Sequence, residues 1–490
     1  MMSIFGKFFE PRSLAFLGAS ADPQKWGFRI LFNIMTGGYS GRVYPVNPRG
    51  GQIGTLRVYK NLAEIPEVPD LAIIVVPVNA VLEAVRECGL KGIRAGVVIT
   101  AGFAEVGEKG ASLQAQMVET AHRYDMRLIG PNCFGIMSTP HMLYAQMPHA
   151  FPPPGPVSVV SQSGNVGFTI ARHTMAYGFG CNKVISTGNE ADLHVEDFLE
   201  YLADDRDTKV ILGYIEGFKN GRRFYEVARR ASLKKPIIII KVGETEAGAS
   251  AARSHTAALS GSDAVFNGVC CQSGVIRVRN LQQLMNVGYG FLCHPVPQGN
   301  RIAIVTLGGG WGVLAADACA KLGLQVIKLP PDVIGELDKF LPSWWSRNNP
   351  VDLVAGAPPD AMTRVIEILA KCEETDAILA LGLPVPAVVW ATADTAGEDR
   401  EQKIDEAIKM LTVAFKNVKA VSTRYNKPVL FAAEFPVPRG DVRFQHRALR
   451  SLAQEGMICY SMPDEAAFVI SSMVRYSKYL RPYGEGNTIT

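Results

Sequence analysis

A chain of 490 residues is too long for one ordinary core, and about 150 residues per domain points to roughly three domains. The net charge of +4 is small for that length and no long Lys/Arg run appears. That excludes the concentrated basic face of a nucleic-acid binder, while leaving room for local phosphate sites.

The nine cysteines are scattered with no C-x-x-C pair, a pattern of reduced cytoplasmic thiols. Met1–Glu10 lacks the apolar stretch of a signal peptide, and the longest apolar strings, such as Leu71–Val78, are too short to span a bilayer. The expected protein is soluble and cytoplasmic, with neither membrane nor nucleic acid as partner.

In chain order, Ser13–Gly18 is a predicted strand running into a turn and a helix near Gly27–Thr36. Gly41–Val46 is a strand stopped by Asn47-Pro48. Leu71–Val76 and Ala95–Thr100 are buried-type strands, followed by amphipathic stretches at Val78–Gly89 and Gly110–Tyr124. Strands alternating with helices predict parallel sheets covered on both faces. The proline-rich stretch Phe151–Pro156 breaks the pattern and is a natural linker. Strands resume at Val157–Val160, Lys183–Thr187, Lys209–Glu216 and Pro236–Val242. A second break, Cys293–Gly299, precedes Arg301–Leu307, Ala377–Leu383 and Lys427–Ala433. Three successive α/β domains are therefore expected, at residues 1–145, 152–292 and 300–480.

Open parallel sheets bind ligands at the carboxyl ends of their strands, where helix N-termini offer free N–H groups. Three glycine turns occupy such places. Gly18-Ala19-Ser20 fails the dinucleotide pattern, because positions 20 and 23 hold Ser and Pro. A phosphate-bearing ligand other than NAD fits it better, and a bare tight turn is the alternative. Ser161-Gln-Ser-Gly-Asn-Val-Gly167 combines capping hydroxyls with glycines at a helix start, an anion cradle. Thr306-Leu-Gly-Gly-Gly-Trp-Gly312 precedes a helix expected at Val313–Lys321. It is no Walker A loop, and no complete nucleotide-hydrolysing apparatus occurs in the chain.

After Pro236–Val242 the segment 243–261 is crowded with Ala, Ser, Gly and Thr around a single aromatic side chain, His255. Little bulk anchors such a loop, and neutral imidazole is a competent phosphoryl acceptor near neutral pH. It needs a carboxylate on its other ring nitrogen; Glu216, Glu190 and Asp192 all lie at strand ends of the same domain. The other seven histidines form no metal pattern; the nearest rival, His194, is better placed to open a helix at Val195–Ala203.

Together these residues resemble the ADP-forming acetyl-CoA synthetases, relatives of succinyl-CoA synthetase. The specific matches are Ser254-His-Thr-Ala-Ala-Leu-Ser-Gly261, similar to that family's phosphohistidine signature, and the Ser161–Gly167 run. Supporting matches are Gly130-Pro-Asn-Cys-Phe-Gly135, Asn349-Pro-Val-Asp-Leu353 and Gly312–Ala318, all in family order. Ala257 departs from the family's glycine beside the histidine, and Trp311 places an indole in the third glycine turn.

The resemblance implies an N-terminal Rossmann-like CoA-binding domain and two flavodoxin-like parallel-sheet domains. It implies that His255 is phosphorylated, that Glu216 orients it, and that the Ser163-Gly164-Asn165 helix start holds the phosphate. CoA is expected at Gly18, Ala19 and Ser20, at Val46, Asn47 and Pro48, at Val76 and Pro77, and at Gly102 and Phe103. The reaction implied is acid + CoA + ATP ⇌ acyl-CoA + ADP + phosphate through acyl-phosphate and phosphohistidine intermediates. The family's ATP-grasp module is missing from this chain, so ATP, ADP and Mg2+ are expected on a separate beta subunit in an α2β2 heteromer. No metal site is expected here. The alternative is a CoA-sensing regulatory protein of the same superfamily, against which the intact His255 loop argues. An NAD-linked oxidoreductase is disfavoured by the broken glycine pattern.

Overall fold

The computed structural model describes residues 4–248, 262–354, 357–358, 360–384, 400–435 and 443–483. His255 and the loop around it lie outside the described residues. Strands are numbered in chain order, and helices are given by their residues.

The first sheet contains β1 (Ser13–Leu17), β2 (Arg42–Val46), β5 (Leu71–Ile74), β6 (Ala95–Val98) and β7 (Arg127–Ile129), all parallel, in the order β2-β1-β5-β6-β7. A two-stranded ribbon of β3 (Gly51–Ile53) and β4 (Leu56–Val58) lies beside β2, joined to it by a bridge between Val46 and Tyr59. Every residue of β1, β5 and β6 is buried, the expected state of strands covered on both faces.

The second sheet holds β8 (Gly135–Ser138), β9 (Leu143–Gln146), β10 (Val157–Ser161), β11 (Lys183–Ser186), β12 (Val210–Ile215), β13 (Ile237–Lys241) and β14 (Ile276–Val278). Its order is β14-β13-β12-β10-β11-β8-β9. Five of these strands are parallel, but β8 and β9 form an antiparallel hairpin added against β11. The sheet is mostly parallel, as expected, with this hairpin as an addition at its edge. The hairpin precedes the proline stretch in sequence, yet shares the sheet of the strands that follow it. Nor is that stretch a free tether. Cys181 N–H donates to Pro153 O at 3.0 Å, Gly155 N–H to Cys181 O at 2.7 Å, and the Tyr144 hydroxyl to Pro152 O at 2.9 Å.

Both sheets belong to one compact unit, residues 1–175 and 180–279. One apolar cluster runs through it, from Phe16, Ile73 and Val97 of the first sheet to Val160, Ile211 and Ile239 of the second. Ion pairs tie its outer helices: Arg223 to Asp197, Arg230 to Glu200, and Lys234 to Asp204 join Gly221–Ser232 and its end to Val195–Asp204.

The second unit, residues 176–179 and 280–488, is built on β15 (Arg301–Thr306), β16 (Gln325–Val326), β17 (Val351–Asp352), β18 (Ala377–Leu381), β19 (Val429–Ala432) and β20 (Cys459–Tyr460). The order is β16-β15-β18-β19-β20, with β17 also pairing β15. Helix Pro463–Leu480 packs on Gly309–Lys321 and Leu281–Cys293, and helix Arg400–Tyr425 on Ala361–Lys371. Helix Gly309–Lys321 begins four residues earlier than its expected start at Val313. The glycines therefore form its first turn rather than a turn before it, because that turn exposes backbone amides and asks nothing of the side chains. Asn349 is buried and structural: it donates to Ile302 O and Ile327 O at 3.0 and 2.9 Å and accepts from Ile304 N–H at 2.8 Å. Among the described residues no helix is long and apolar enough to cross a membrane.

Candidate functional site

The strand orders locate the sites before any side chain is considered. A doubly wound sheet opens a crevice at the carboxyl ends of the two neighbouring strands whose connections leave in opposite directions. In the first sheet those strands are β1 and β5; in the second they are β10 and β12.

At the end of β1 the chain turns through Gly18, whose φ of +90° suits glycine and whose absent Cβ would lie 2.3 Å from Val75 O. Gly27, in the first turn of helix Trp26–Thr36, approaches as closely: a Cβ there would lie 2.1 Å from Gly18 O. The two glycines allow a helix start to sit directly on the turn. Gly18 and Ala19 N–H both donate to Val46 O, at 3.1 and 3.2 Å, and Asn47 Nδ2 donates to Ala19 O at 2.8 Å. Thr100 Oγ1 donates to Val76 O at 2.6 Å, tying the ends of β5 and β6.

Around this frame lies a cleft of about 830 Å³, lined by Gly18, Ala19, Ser20, Asn47, Val76 and Pro77 among the residues expected to meet CoA. Val46, Pro48, Gly102 and Phe103 are not in its lining. Val46 and Phe103 are buried in the apolar core, and Gly102 N–H is held by Glu105 Oε1 at 2.6 Å. The lining also includes the cations Lys25 and Arg49, together with Thr100 and Phe134. No spacing pattern marks these residues in the sequence. Two mobile-headed cations, a helix start and an apolar wall suit an elongated polyanion carrying an apolar arm.

The run Gly130–Gly135 carries the chain from β7 to β8, and so from one sheet to the other. It fixes the loop after β11: Asn189 N–H donates to Pro131 O at 2.9 Å, Ala191 N–H to Gly130 O at 3.0 Å, and Asn132 Nδ2 to Asn189 Oδ1 at 3.2 Å. Phe134, in the cleft wall, also covers the start of helix Gly164–Ala176, where a Cβ on Gly164 would lie 2.2 Å from its ring. Phe134 is therefore shared by the cleft and the helix start of the second crevice.

That crevice begins at Ser161, whose Oγ donates to Ser163 O at 2.6 Å. Ser163 and Gly164 are half-buried and Asn165 is exposed, so the helix start reaches solvent. Across from it, at the end of β12, Glu216 is buried. Gln162 joins the two sides. Its Oε1 accepts from Glu216 N–H at 2.5 Å and Gly217 N–H at 3.1 Å; its Nε2 donates to Gly217 O at 2.8 Å and Glu190 Oε2 at 3.0 Å.

The three carboxylates considered from the sequence have different situations. Glu190 is buried at a φ of +53°, and burial pushes its carboxyl up to about 7, against hydrogen bonds from Thr187 and Gln162. Asp192 is buried too, yet lies below the ordinary carboxylate range: desolvation is outweighed by Arg127, His122 and Leu128 N–H. It braces the two sheets rather than facing the crevice. Glu216 alone has its main-chain N–H seated on the Ser161–Ser163 turn. His194 caps helix Val195–Asp204 reciprocally with Asp197, the helix-opening role expected for it.

Comparisons with known proteins give the family. Residues 12–139 match the CoA binding domain, 154–291 the succinyl-CoA ligase like flavodoxin domain, and 302–430 the ligase-CoA domain. The chain is 38% identical to the acetate–CoA ligase (ADP-forming) II subunit alpha of Pyrococcus furiosus, covering 96% of this chain and 97% of the relative. It is 37% identical to the corresponding I subunit alpha, over 97% and 98% of the two chains. The dinucleotide-forming acetyl-coenzyme A synthetase 1 of Ca. Korarchaeum cryptofilum, solved with phosphate and ADP, superposes with a TM-score of 0.83 at 33% identity, over 99% of each chain. The chain belongs to the alpha subunits of the ADP-forming acyl-CoA synthetases, in the succinyl-CoA synthetase superfamily.

Proposed function

We infer that this chain is the CoA-binding, phosphoryl-carrying subunit of an ADP-forming acyl-CoA synthetase, catalysing acid + CoA + ATP ⇌ acyl-CoA + ADP + phosphate with a second subunit. The observation that carries the reading is that Phe134 belongs both to a cleft with CoA-like chemistry and to the start of helix Gly164–Ala176, whose preceding turn holds the main chain of a buried glutamate.

In this reading residues 1–145 bind CoA, 152–292 carry the phosphohistidine loop, and 300–480 form the second flavodoxin-like domain. Lys25 and Arg49 meet phosphates of CoA, while Gly18–Ser20, Asn47, Val76 and Pro77 shape the cleft around it. CoA supplies the thiol that becomes the thioester. In the direction of ATP synthesis, phosphate oxygen attacks the acyl carbon, the C–S bond breaks, and the thiolate leaves to be protonated as CoA. His255 then attacks phosphorus, the acyl-oxygen bond to phosphorus breaks, and the carboxylate departs. Glu216 holds the far ring nitrogen and steadies the positive charge that develops on the imidazole. The Ser163-Gly164-Asn165 helix start offers N–H groups and a positive dipole end to the transferring group, which needs positioning and charge stabilisation above all. The phosphoryl group passes finally to ADP on an ATP-grasp beta subunit, with Mg2+, in an α2β2 complex of the cytoplasm.

The test is radiolabelled ATP with the beta subunit. Acid-labile, base-stable label is expected on the wild-type chain and none on His255→Asn; equal labelling of both overturns the assignment. CoA should raise the unfolding temperature and NAD should leave it unchanged.

A further inference from the structure

Gln162 is a buried side chain with every hydrogen-bonding position engaged: two donors to its Oε1, two acceptors for its Nε2. Asn349, a buried amide of the second unit, differs from it. The Asn349 side chain bonds to main-chain groups at Ile302, Ile304 and Ile327, as a bolt within a sheet does. Gln162 instead joins the main chain of Glu216 and Gly217 to a carboxyl group, that of Glu190.

Glu216 and Gly217 lie beyond Ile215, the last residue of β12, so the strand ladder does not place them. Their N–H groups are held by Gln162. Glu190 is itself fixed at both flanks, by Asn189 and Ala191 on the Gly130–Pro131 turn, and its main-chain oxygen accepts from Lys219 Nζ. The frame thus has one rigid wall, and Gln162 transfers that rigidity to the root of the Glu216 side chain.

We propose that Gln162 is a positioning residue for phosphoryl transfer: by clamping the Glu216–Gly217 peptide against the Glu190 carboxyl, it sets where Glu216 meets the imidazole. The inference rests on the role given above to Glu216 and adds to it the residue that aims it. Gln162 is absent from the lining of the CoA cleft, and its side chain bonds to Glu216, Gly217 and Glu190.

The decisive variant is Gln162→Glu, nearly the same shape. Its carboxylate still accepts from the two N–H groups, but an oxygen now stands where Nε2 donated, 3.0 Å from Glu190 Oε2 and 2.8 Å from Gly217 O. The contact then requires a proton. The other charged groups acting on Glu190 are Glu196 of helix Val195–Asp204 and Lys219 of the loop after β12, with Glu216 across the amide. Glu196 disfavours a second negative charge there, and Lys219 opposes it weakly.

The experiment is the rate of His255 labelling by radiolabelled ATP in the complex with the beta subunit, across pH, alongside calorimetric titration with CoA. For Gln162→Glu we expect labelling to fall about 10- to 100-fold at about pH 8, the scale of a misplaced catalytic group, and to recover several-fold by about pH 6. CoA affinity stays at the wild-type value. Adding Glu190→Gln, whose amide can donate to the new carboxylate, removes the pH dependence. Wild-type rates for Gln162→Glu at every pH overturn the proposal. So does a pH-independent loss in step with the loss of folded protein, which marks a purely structural amide. Absence of label on the wild type overturns the phosphohistidine reading itself, and this inference with it.

Discussion

Glu190 carries the clearest consequence at the scale of a single residue. Its carboxyl is raised from 4.5 to about 7 in the fold, mainly by burial, so the folded state binds a proton more tightly than the unfolded chain does. The stabilising contribution is therefore complete below about 4.5, and it is lost as pH rises through about 7. Each unit of pKa difference corresponds to about 1.4 kcal/mol. Glu190→Gln, which keeps an acceptor for Gln162, should flatten stability across that window and unfold at a higher temperature than wild type above it. Thermal unfolding at stepped pH measures this, and parallel curves for the two proteins would refute it. At this scale the sequence was only partly legible. Glu216 stood out as an acid between a β-run and a glycine. The partners of Gln162 lie 28 to 55 residues away along the chain, and no local pattern announces such contacts. Lys25 and Arg49 were invisible for a related reason: a basic residue in a loop acquires meaning only when the fold turns it toward a cleft.

Among elements, the junction of β1 with helix Trp26–Thr36 depends on two missing side chains. A methyl group on Gly27 collides with the carbonyl of Gly18, which is backbone and cannot rotate away. Gly27→Ala should push the helix off the turn, abolish the CoA-induced rise in unfolding temperature, and cost about 1–3 kcal/mol as overpacking does. Retained CoA binding in calorimetry would show that the turn does not shape the cleft. The buried strands of the three sheets were readable because short runs of β-branched or small apolar residues, such as Ile237–Ile240, are of strand length and bounded by turn formers. The hairpin of β8 and β9 was not. Its strands are four residues each, too short for any periodicity, and they follow a motif rich in turn formers. The start of helix Gly309–Lys321 was hidden by glycine, whose weak helix propensity concealed an exposed first turn.

On the scale of the molecule, the first unit holds two sheets, and one of its apolar clusters spans both of them. Ile73 on β5 and Ile239 on β13 are both fully buried members of it. Ile73→Ala and Ile239→Ala should each cost about 2–5 kcal/mol and shift the same calorimetric transition, although they sit in different sheets. Two separately moving transitions would mean that the sheets fold apart. The hairpin of β8 and β9 also decides where this chain can be divided and recombined. A fragment ending at the prolines would retain β8 with its outer edge bare, since Ile136–Ser138 pair with Lys183–Ile185 downstream. Such an edge is a template for foreign strands, and the fragment would aggregate rather than stand alone. Exchange of CoA modules between relatives therefore has its seam within Gly130–Gly135, upstream of the point where composition alone would place the scissors.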